Sequence, residues 1–426
     1  MRILLLSAYD AHSHRRWRQG LVAAFPEWHW TVLTLPPRFF SWRVRGNSLT
    51  WAYAEREILE QPCDVLIATS MTDLSALKGL VPALAAVPTL VYCHENQFAY
   101  PDRHDRQDVE SKMTGLYSLL AADRVVFNSD WNRQSFLDGA QALLQLMPDA
   151  VPDGVVDSIA EKSCLLPVPL EETWFDRRDV ATGNDGPFTI VWNHRWEYDK
   201  APERMFNALL ALHAAGLNFR VHVIGQQFRK QPPVFAEMYP LLNEHIGEWG
   251  MIEAEADYQR LLRQSHVVLT TALHEFQGLA VLEAVASGCV PVVPDRLAYR
   301  EFIPDDCRYP SYPDDPDRES DAIAEHLQRL CSRYYQDDLP VAPAVHDLSW
   351  SCLLPAYRAE IDGIDVGGSL VGTGRGRYID NAGLLLRILC TRSFTNWSIG
   401  VRWGVGRFVC SCTYSHVLCQ LSSNAF

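Results

Sequence analysis

Short apolar runs alternate with longer amphipathic stretches through the first 365 residues of the chain. Continuous apolar runs of four to six residues are typical of strands buried on both faces, and a three-to-four-residue period is typical of helices. In the first half this pattern predicts strands at Arg2–Leu6, Trp30–Leu33, Val65–Ala68, Thr89–Tyr92 and Arg124–Phe127, with helices near Trp17–Ala24, Trp51–Leu59, Leu74–Leu84, Met113–Ala122 and Asn132–Leu144. In the second half it predicts strands at Thr189–Trp192, Phe219–Val223, Val267–Thr270 and Val290–Val293, with helices near Pro202–Ala214, Ala256–Leu262, Leu279–Ser287 and Asp321–Tyr334.

Strands that alternate with helices indicate the α/β class, with parallel sheets. We expect two facing Rossmann-like domains, with a ligand cleft where the carboxyl ends of their strands meet. The predicted boundaries are residues 1–170 for the first domain, 171–187 for a linker rich in Pro, Asp and Gly, and 188–348 for the second domain. A last helix at 349–365 is expected to return to the first domain.

The composition changes at Val366. Residues 366–426 contain six arginines, one acidic residue, nine glycines and four of the 11 cysteines. Neither a helical nor a strand period persists there, and the spacing of Cys410, Cys412, His416 and Cys419 fits no common zinc site. This favours a flexible tail or a reading frame shifted near codon 366, and we predict no function for it.

Charge and cysteine usage narrow the function classes. The formal net charge is −14 for the whole chain and −19 for residues 1–365, which excludes a globally basic nucleic-acid surface but allows a local patch. No apolar run reaches the length of a membrane span, and Ile3–Leu6 is too short for a signal-peptide core. The cysteines of residues 1–365 are scattered singly, as in a reduced cytosolic protein. We therefore expect a cytoplasmic protein with no membrane partner.

The second half contains two groups of residues suited to a nucleotide diphosphate. Arg195 and Lys200 lie in a strand-to-helix turn, and their cations suit phosphate oxygens beside a helix N-terminus. Glu275 and Glu283 are eight positions apart around Gly278 and Leu279, so a loop carboxylate and a helix carboxylate could accept bonds from sugar and ribose hydroxyls. The plainer alternatives are ordinary loop charges and a solvated helix residue. In this order, the motifs resemble the donor domain of retaining, nucleotide-sugar-dependent glycosyltransferases of the GT-B type.

Four stretches of the first half narrow the resemblance. They are Ser7–His14, the basic and aromatic run Arg38–Arg45, the block His94-Glu95-Asn96-Gln97-Phe98-Ala99-Tyr100-Pro101, and Val126–Ser129. In this order they resemble the tRNA-queuosine mannosyltransferase family, over about residues 1–362. This chain has Ala11-His12 where animal members have Gly-Gly, so a different acceptor, a small molecule or a glycan, stays open as the alternative.

The resemblance implies a retaining transfer of mannose from GDP-mannose to the cyclopentenediol of queuosine in tRNA. No Asp-x-Asp metal motif occupies an equivalent place in this sequence, so we predict no metal and no cofactor. The resemblance also implies catalytic roles for His94, Arg195 and Lys200, and donor contacts from Glu275, Gly278, Leu279 and Glu283. Ser13, His14, Glu95, Asn96 and Asn128 are expected on the sugar and acceptor side. Alternatively, Ser13 caps a helix and His94 is a core histidine. Arg38, Trp42, Arg43 and Arg45 are candidate RNA contacts, because single-stranded bases stack on aromatic rings and arginine binds phosphate.

Overall fold

The structure is a computed structural model of the 426-residue chain. It describes residues 1–100, 109–176, 186–365, 413–414 and 417–418. The chain forms two compact units, Met1–Ser369 and Leu370–Phe426.

The first half of the larger unit is a six-stranded parallel sheet in the order β2-β1-β3-β4-β5-β6. Buried apolar residues of its central strands face helices on both sides, as expected for a parallel sheet. Its strands are β1 Arg2–Ser7, β2 His29–Thr34, β3 Val65–Thr69, β4 Thr89–Cys93, β5 Arg124–Phe127 and β6 Ser163–Leu165. Its helices are α1 His12–Ala24, α2 Phe40–Ala54, α3 Arg56–Leu59, α4 Leu74–Leu80, α5 Val109–Leu120, α6 Asp130–Gln145 and α7 Val155–Glu161.

The second half is another six-stranded parallel sheet, in the order β12-β11-β10-β7-β8-β9. Its strands are β7 Phe188–Asn193, β8 Phe219–Ile224, β9 Ile246–Gly250, β10 Val267–Leu269, β11 Val290–Pro294 and β12 Arg308–Tyr309. Its helices are α8 Pro202–Ala214, α9 Val234–Leu242, α10 Glu255–Gln264, α11 Leu279–Ala286, α12 Tyr299–Phe302 and α13 Pro316–Tyr334. Short 3₁₀ turns span Pro82–Leu84, Glu172–Phe175, Tyr198–Lys200, Asp305–Cys307 and His346–Leu348. Two parallel sheets with helices confirm the predicted α/β class.

Each sheet reverses its strand order at one point. The order reverses between β1 and β3 in the first sheet and between β7 and β10 in the second. In open α/β sheets, ligands bind beyond the carboxyl ends of the strands at such a point. The candidate residues follow these same strands, since Arg195 and Lys200 come after β7 and Glu275 comes after β10.

The chain crosses between the two halves twice, and the crossing segments are hydrogen-bonded to each other. The backbone N–H of Leu170 donates to Leu348, at 2.8 Å, and that of Trp350 donates to Leu170, at 3.1 Å. The last helix, α14 Trp350–Asp365, then packs on the first sheet, where Trp350, Leu353, Tyr357 and Ile361 join its core. Gly20 of α1 permits this contact, because a Cβ there would lie 2.5 Å from the Trp350 ring.

The sequence pattern missed several short elements. Strands β6, β9 and β12 were not predicted, nor were helices α7, α9 and α12. Helix α2 begins at Phe40 rather than near Trp51, so most of the basic and aromatic run is helical. Apolar and polar positions are mixed along this helix. Asn47 is buried in it, and its side-chain amide donates to the carbonyls of Arg43, Val44 and Met71.

In the smaller unit, the structure describes an antiparallel strand pair, Thr413–Tyr414 and Val417–Leu418. The other residues of the expected tail, 366–412, 415–416 and 419–426, lie outside the described residues. Within the described part of the chain, no helix combines the length and apolarity needed to cross a membrane.

Candidate active site

The turn after β7 holds two cations at the cleft. Arg195 is half exposed, and its Nη1 pairs with Glu197 Oε2 at 2.7 Å. Lys200 is 5% exposed, and its Nζ donates to the carbonyl of His274, at 2.7 Å, and to Glu275 Oε2, at 3.2 Å. The turn is hydrogen-bonded to the loop after β10, since the Thr271 hydroxyl donates to the Lys200 carbonyl at 2.6 Å. The positive groups are therefore held in place before any ligand arrives.

The Glu275 carboxylate is ionised in this environment. Burial alone would raise its pKa, but the nearby Lys200 ammonium and the Phe276 backbone N–H lower the pKa to about 2. Lys200 also lies 3.4 Å from Asp199 Oδ2. One buried cation thus stabilises two carboxylates, and a phosphate bound here would exchange with one of them.

Helix α11 begins directly beside these groups. Gly278 precedes it with φ of +81°, and a Cβ at this position would lie 2.7 Å from the Tyr299 ring. Glycine is therefore required both by the backbone and by the close approach of Tyr299. The first turn, starting at Leu279, directs its unpaired N–H groups and positive potential towards the carboxyl end of the sheet, which suits an anion.

Glu283 on α11 is bound by residues from both halves. Its carboxylate accepts from the Arg16 guanidinium of α1 and from the Tyr258 hydroxyl, the latter at 3.3 Å. Asn193, at the end of β7, donates to the same Tyr258 oxygen at 2.9 Å. Glu283 is 6% exposed, so it is not the solvated helix residue of the plainer alternative.

On the first sheet, two histidines stack at the cleft. The rings of His14 and His94 are 4.2 Å apart with an angle of 20° between their planes. Burial lowers the pKa of both, and the neighbouring His14 lowers that of His94 further, so both rings are neutral at pH 7. His94 Nε2 is buried and has no hydrogen-bond partner in the described part of the chain. A neutral ring with an unused nitrogen can bind a hydroxyl without repelling a positive transition state.

Tyr100 of the His94–Pro101 block connects the two halves. Its hydroxyl donates to Glu95 Oε2 at 2.6 Å, and its ring lies 4.1 Å from the ring of His274. Burial, followed by the charge of Lys200, lowers the pKa of His274 to about 4. The same two causes lower the pKa of His194 to about 3. The cleft is therefore lined by neutral imidazoles on both sides.

Two of the predicted acceptor-side residues, Asn96 and Asn128, are hydrogen-bonded within the loops of the first sheet. The Asn96 amide donates to Asn132 Oδ1, at 2.8 Å, and its oxygen accepts from the Phe98 and Ala99 N–H groups. The Asn128 amide donates to the His94 carbonyl, at 3.0 Å, and its oxygen accepts from Asn132. These hydrogen bonds hold the loops after β4 and β5 in place, and the sugar contacts expected of Asn96 and Asn128 stay predictions.

The remaining sequence-predicted residues lie on α1 and at the start of α2. Ser13 is an exposed residue of the first turn of α1, and the alternative that it caps this helix is wrong because Ala11 holds the cap position. Arg38 and Trp42 are exposed, whereas Arg45 is half exposed and pairs with Asp73 at 2.7 Å. Arg43 is 7% exposed, so the expectation that it contacts RNA is corrected.

Sequence reasoning did not assign Arg16, Tyr258 or Tyr100 to the site. On α1, the neighbouring Arg15 and Arg18 pair with Asp10, whereas Arg16 pairs with Glu283. Arg16 and Glu283 are 267 positions apart in the chain, so no local pattern reveals their ion pair. Tyr100 did carry a signal, because it belongs to the most specific motif of the first half.

Comparison with known proteins gives consistent results for both halves. Residues 2–170 match the model of the tRNA-queuosine alpha-mannosyltransferase N-terminal domain, and residues 175–334 match that of glycosyl transferases group 1. Over 337 residues, the chain is 32% identical to a Drosophila melanogaster protein named tRNA-queuosine alpha-mannosyltransferase, covering 77% of this chain and 86% of the relative.

Solved structures show the same fold at low identity. Anabaena HepE in complex with UDP and glucose has a TM-score of 0.60 at 12% identity, over 85% of this chain and all of HepE. A UDP-forming trehalose-phosphate synthase from Burkholderia xenovorans has a TM-score of 0.54 at 16% identity, over 85% and 99% of the two chains. The chain therefore belongs to the tRNA-queuosine alpha-mannosyltransferase family and is a glycosyltransferase with the GT-B fold.

Proposed function

We propose that this enzyme transfers mannose from GDP-mannose to a hydroxyl of the queuosine cyclopentenediol in tRNA, with retention at the anomeric carbon. The observation that carries the proposal is the arrangement of Arg195, Lys200 and the start of α11 opposite the His14–His94 pair. Cations and helix amides on one side suit a diphosphate, and neutral imidazoles on the other suit sugar hydroxyls. The name of the Drosophila relative supports the acceptor.

The donor would lie across the carboxyl ends of β7 and β10. Arg195 and Lys200 would bind the diphosphate, together with the first N–H groups of α11. Glu283 would accept hydrogen bonds from the ribose hydroxyls. For this, the Arg16 guanidinium would have to move away from at least one of the carboxylate oxygens. Glu275, kept ionised beside Lys200, would accept from a sugar hydroxyl.

In the reaction, the bond between the anomeric carbon and the phosphate oxygen breaks, and the electron pair leaves with GDP. Positive charge develops on the sugar, and negative charge develops on the phosphate. Arg195 and Lys200 would stabilise the phosphate charge, which is preorganised electrostatic catalysis. The acceptor hydroxyl attacks the anomeric carbon from the face that GDP leaves, and its proton passes to the departing phosphate. These steps account for every bond broken and formed without a protein nucleophile or a metal ion.

The acceptor would enter from the first sheet. A small recess lies beside Glu95 and is lined by Met71, Gln97 and Lys112 among others. At the start of α2, Phe39 and Trp42 are 71% and 54% exposed, and the Arg38 guanidinium lies over the Phe39 ring. We name Arg38, Phe39 and Trp42 the α2 corner. Exposed rings beside a cation suit unstacked bases and phosphate, so the α2 corner is the proposed local RNA contact.

We also propose a cytoplasmic location. Cys63, Cys93, Cys164, Cys289, Cys331 and the exposed Cys352 are free thiols, which fits a reducing compartment.

The test supplies full-length enzyme with labelled GDP-mannose and two tRNA pools, one containing queuosine and one from a queuosine-deficient strain. Label is expected only in the queuosine-containing pool. Label in both pools would contradict the queuosine acceptor, and label in neither, while donor still binds, would favour a small-molecule or glycan acceptor.

A further inference from the structure

Away from the cleft, three side chains with metal-binding atoms come together on the second sheet. His213 is on the last turns of α8, and Glu244 and His245 immediately precede β9. His213 Nδ1 lies 2.9 Å from His245 Nε2, and Glu244 Oε1 lies 3.3 Å from His213 Nδ1 and 3.5 Å from His245 Nε2.

These distances match three corners of a tetrahedron around a small cation. Zinc binds imidazole nitrogen at about 2.0–2.1 Å and carboxylate oxygen at about 2.0–2.2 Å, so neighbouring ligand atoms in a tetrahedral site are about 3.4 Å apart. The three observed distances, 2.9, 3.3 and 3.5 Å, lie close to that edge length. An ion could therefore contact all three atoms after shifts of a few tenths of an ångström, with water at the fourth corner.

The other contacts of the His245 ring leave its Nε2 atom available to bind a metal ion. Its Nδ1 lies 3.0 Å from the carbonyl oxygen of Phe219, which can only accept, so Nδ1 bears the hydrogen and Nε2 of the neutral ring has the lone pair. The ring also stacks on Phe219, at 4.0 Å and 3°. A backbone carbonyl that orients a histidine in this way is a regular feature of metal sites.

We propose that His213, Glu244 and His245 form a zinc-binding site that joins the end of α8 to the start of β9. The ligand class, two neutral imidazoles and one carboxylate, suits Zn²⁺ better than Mg²⁺ or Ca²⁺, which prefer oxygen ligands. On binding, His213 exchanges its hydrogen-bearing nitrogen from Nδ1 to Nε2, and Nδ1 becomes a ligand. The site lies at the amino end of the second sheet, opposite the catalytic cleft, so its role is to stabilise the fold rather than to act in transfer.

The test compares metal-free full-length protein with three variants by calorimetric titration of Zn²⁺ and by thermal unfolding. His213→Gln and Glu244→Gln change ligands that are exposed, so both variants are expected to fold. His29→Gln is the matched control, because His29 is an exposed histidine on the first sheet. Wild type and control are expected to bind one Zn²⁺ at this site, with a rise in Tm. The two ligand variants are expected to bind it at least about tenfold more weakly.

Cobalt provides an independent readout, because the chain has thiols that could also bind metal. Co²⁺ at this site is expected to show the spectrum of nitrogen and oxygen ligation, with an intensity that falls in His213→Gln. Equal zinc affinity and stoichiometry in wild type and His213→Gln would overturn the proposal. A Co²⁺ spectrum consisting only of thiolate charge-transfer bands would overturn it as well, since metal would then bind cysteine alone.

Discussion

Arg16 of the first half and Glu283 of the second half form an ion pair across the cleft. The carboxylate is 6% exposed, so the pair is largely shielded from solvent and from salt. A nucleoside whose ribose binds Glu283 must compete with Arg16 for the same oxygens. In the proposed donor site, one carboxylate therefore links donor binding to the contact between the two halves.

Glu283→Gln is expected to weaken donor binding about tenfold or more, because hydrogen bonds to a charged group contribute about 1.5–3 kcal/mol each. The measurement is the KM for GDP-mannose together with calorimetric binding of GDP. Glu360→Gln is the matched control, since it removes the Arg124–Glu360 ion pair, 2.7 Å long, without touching the cleft. An unchanged donor KM in Glu283→Gln would remove this residue from the donor site.

Arg195→Ala is expected to lower kcat by about 10²–10³-fold, because a preorganised positive group no longer stabilises the leaving phosphate. Arg195 is half exposed, so the variant should retain the wild-type Tm. Lys200→Ala should also lose transfer, but with a clear fall in Tm, because Glu275 and Asp199 lose their shared cation. Near-normal turnover in Arg195→Ala would contradict its role at the diphosphate.

Stability is expected to fall as the pH drops from about 6.5 to 4. The pKa of His274 is lowered to about 4 and that of His194 to about 3, mainly by burial, against about 6.5 in the unfolded chain. Between these pH values the unfolded state binds protons that the folded state does not. Each of the two histidines therefore lowers the free energy of unfolding by about a few kcal/mol as the pH falls. The measurement is the free energy of unfolding by denaturant at several pH values. His274→Gln should flatten this dependence of the unfolding free energy on pH, and an unaltered dependence in that variant would contradict a lowered pKa of His274.

Trp42→Ala is expected to raise the KM for tRNA about tenfold without changing the KM for GDP-mannose, because a stacked base contributes about 1–3 kcal/mol. Tyr53→Ala is the matched control, since Tyr53 is an exposed aromatic residue near the other end of the same helix. Equal effects of the two substitutions would show that the α2 corner is not a specific RNA contact.

Treatment with a chelator is expected to leave the rate of transfer unchanged, because Arg195 and Lys200 supply the positive charge that a metal would otherwise bring to the diphosphate. In the same sample, the Tm should fall if zinc was bound at His213, Glu244 and His245. A loss of transfer that is restored by Mg²⁺ would refute the metal-free mechanism.

The central strands, with their continuous apolar runs, were predictable from the sequence, whereas three of the four strands at the sheet edges, β6, β9 and β12, were not. Strand β9, Ile-Gly-Glu-Trp-Gly, has no clear alternation because an edge strand borders one neighbour and its side chains are partly solvated. In the site, local motifs led to Lys200 and His94. They did not reveal that Asn96 bonds only within its own half, or that Arg16 reaches Glu283. Such pairings depend on how distant segments meet in the folded chain.

Helix α14 shares a buried apolar core with Ile3 of the first sheet and with Trp17 and Leu21 of α1, and the Tyr357 hydroxyl bonds to Trp17 and Tyr92 there. A ribosome makes this helix only after the whole second sheet has emerged. During synthesis, the nascent first sheet therefore carries an uncovered apolar face for the time needed to add almost two hundred further residues. The half of the enzyme that is translated first is completed last, and chaperones that bind nascent chains have an exposed face to protect in the interval.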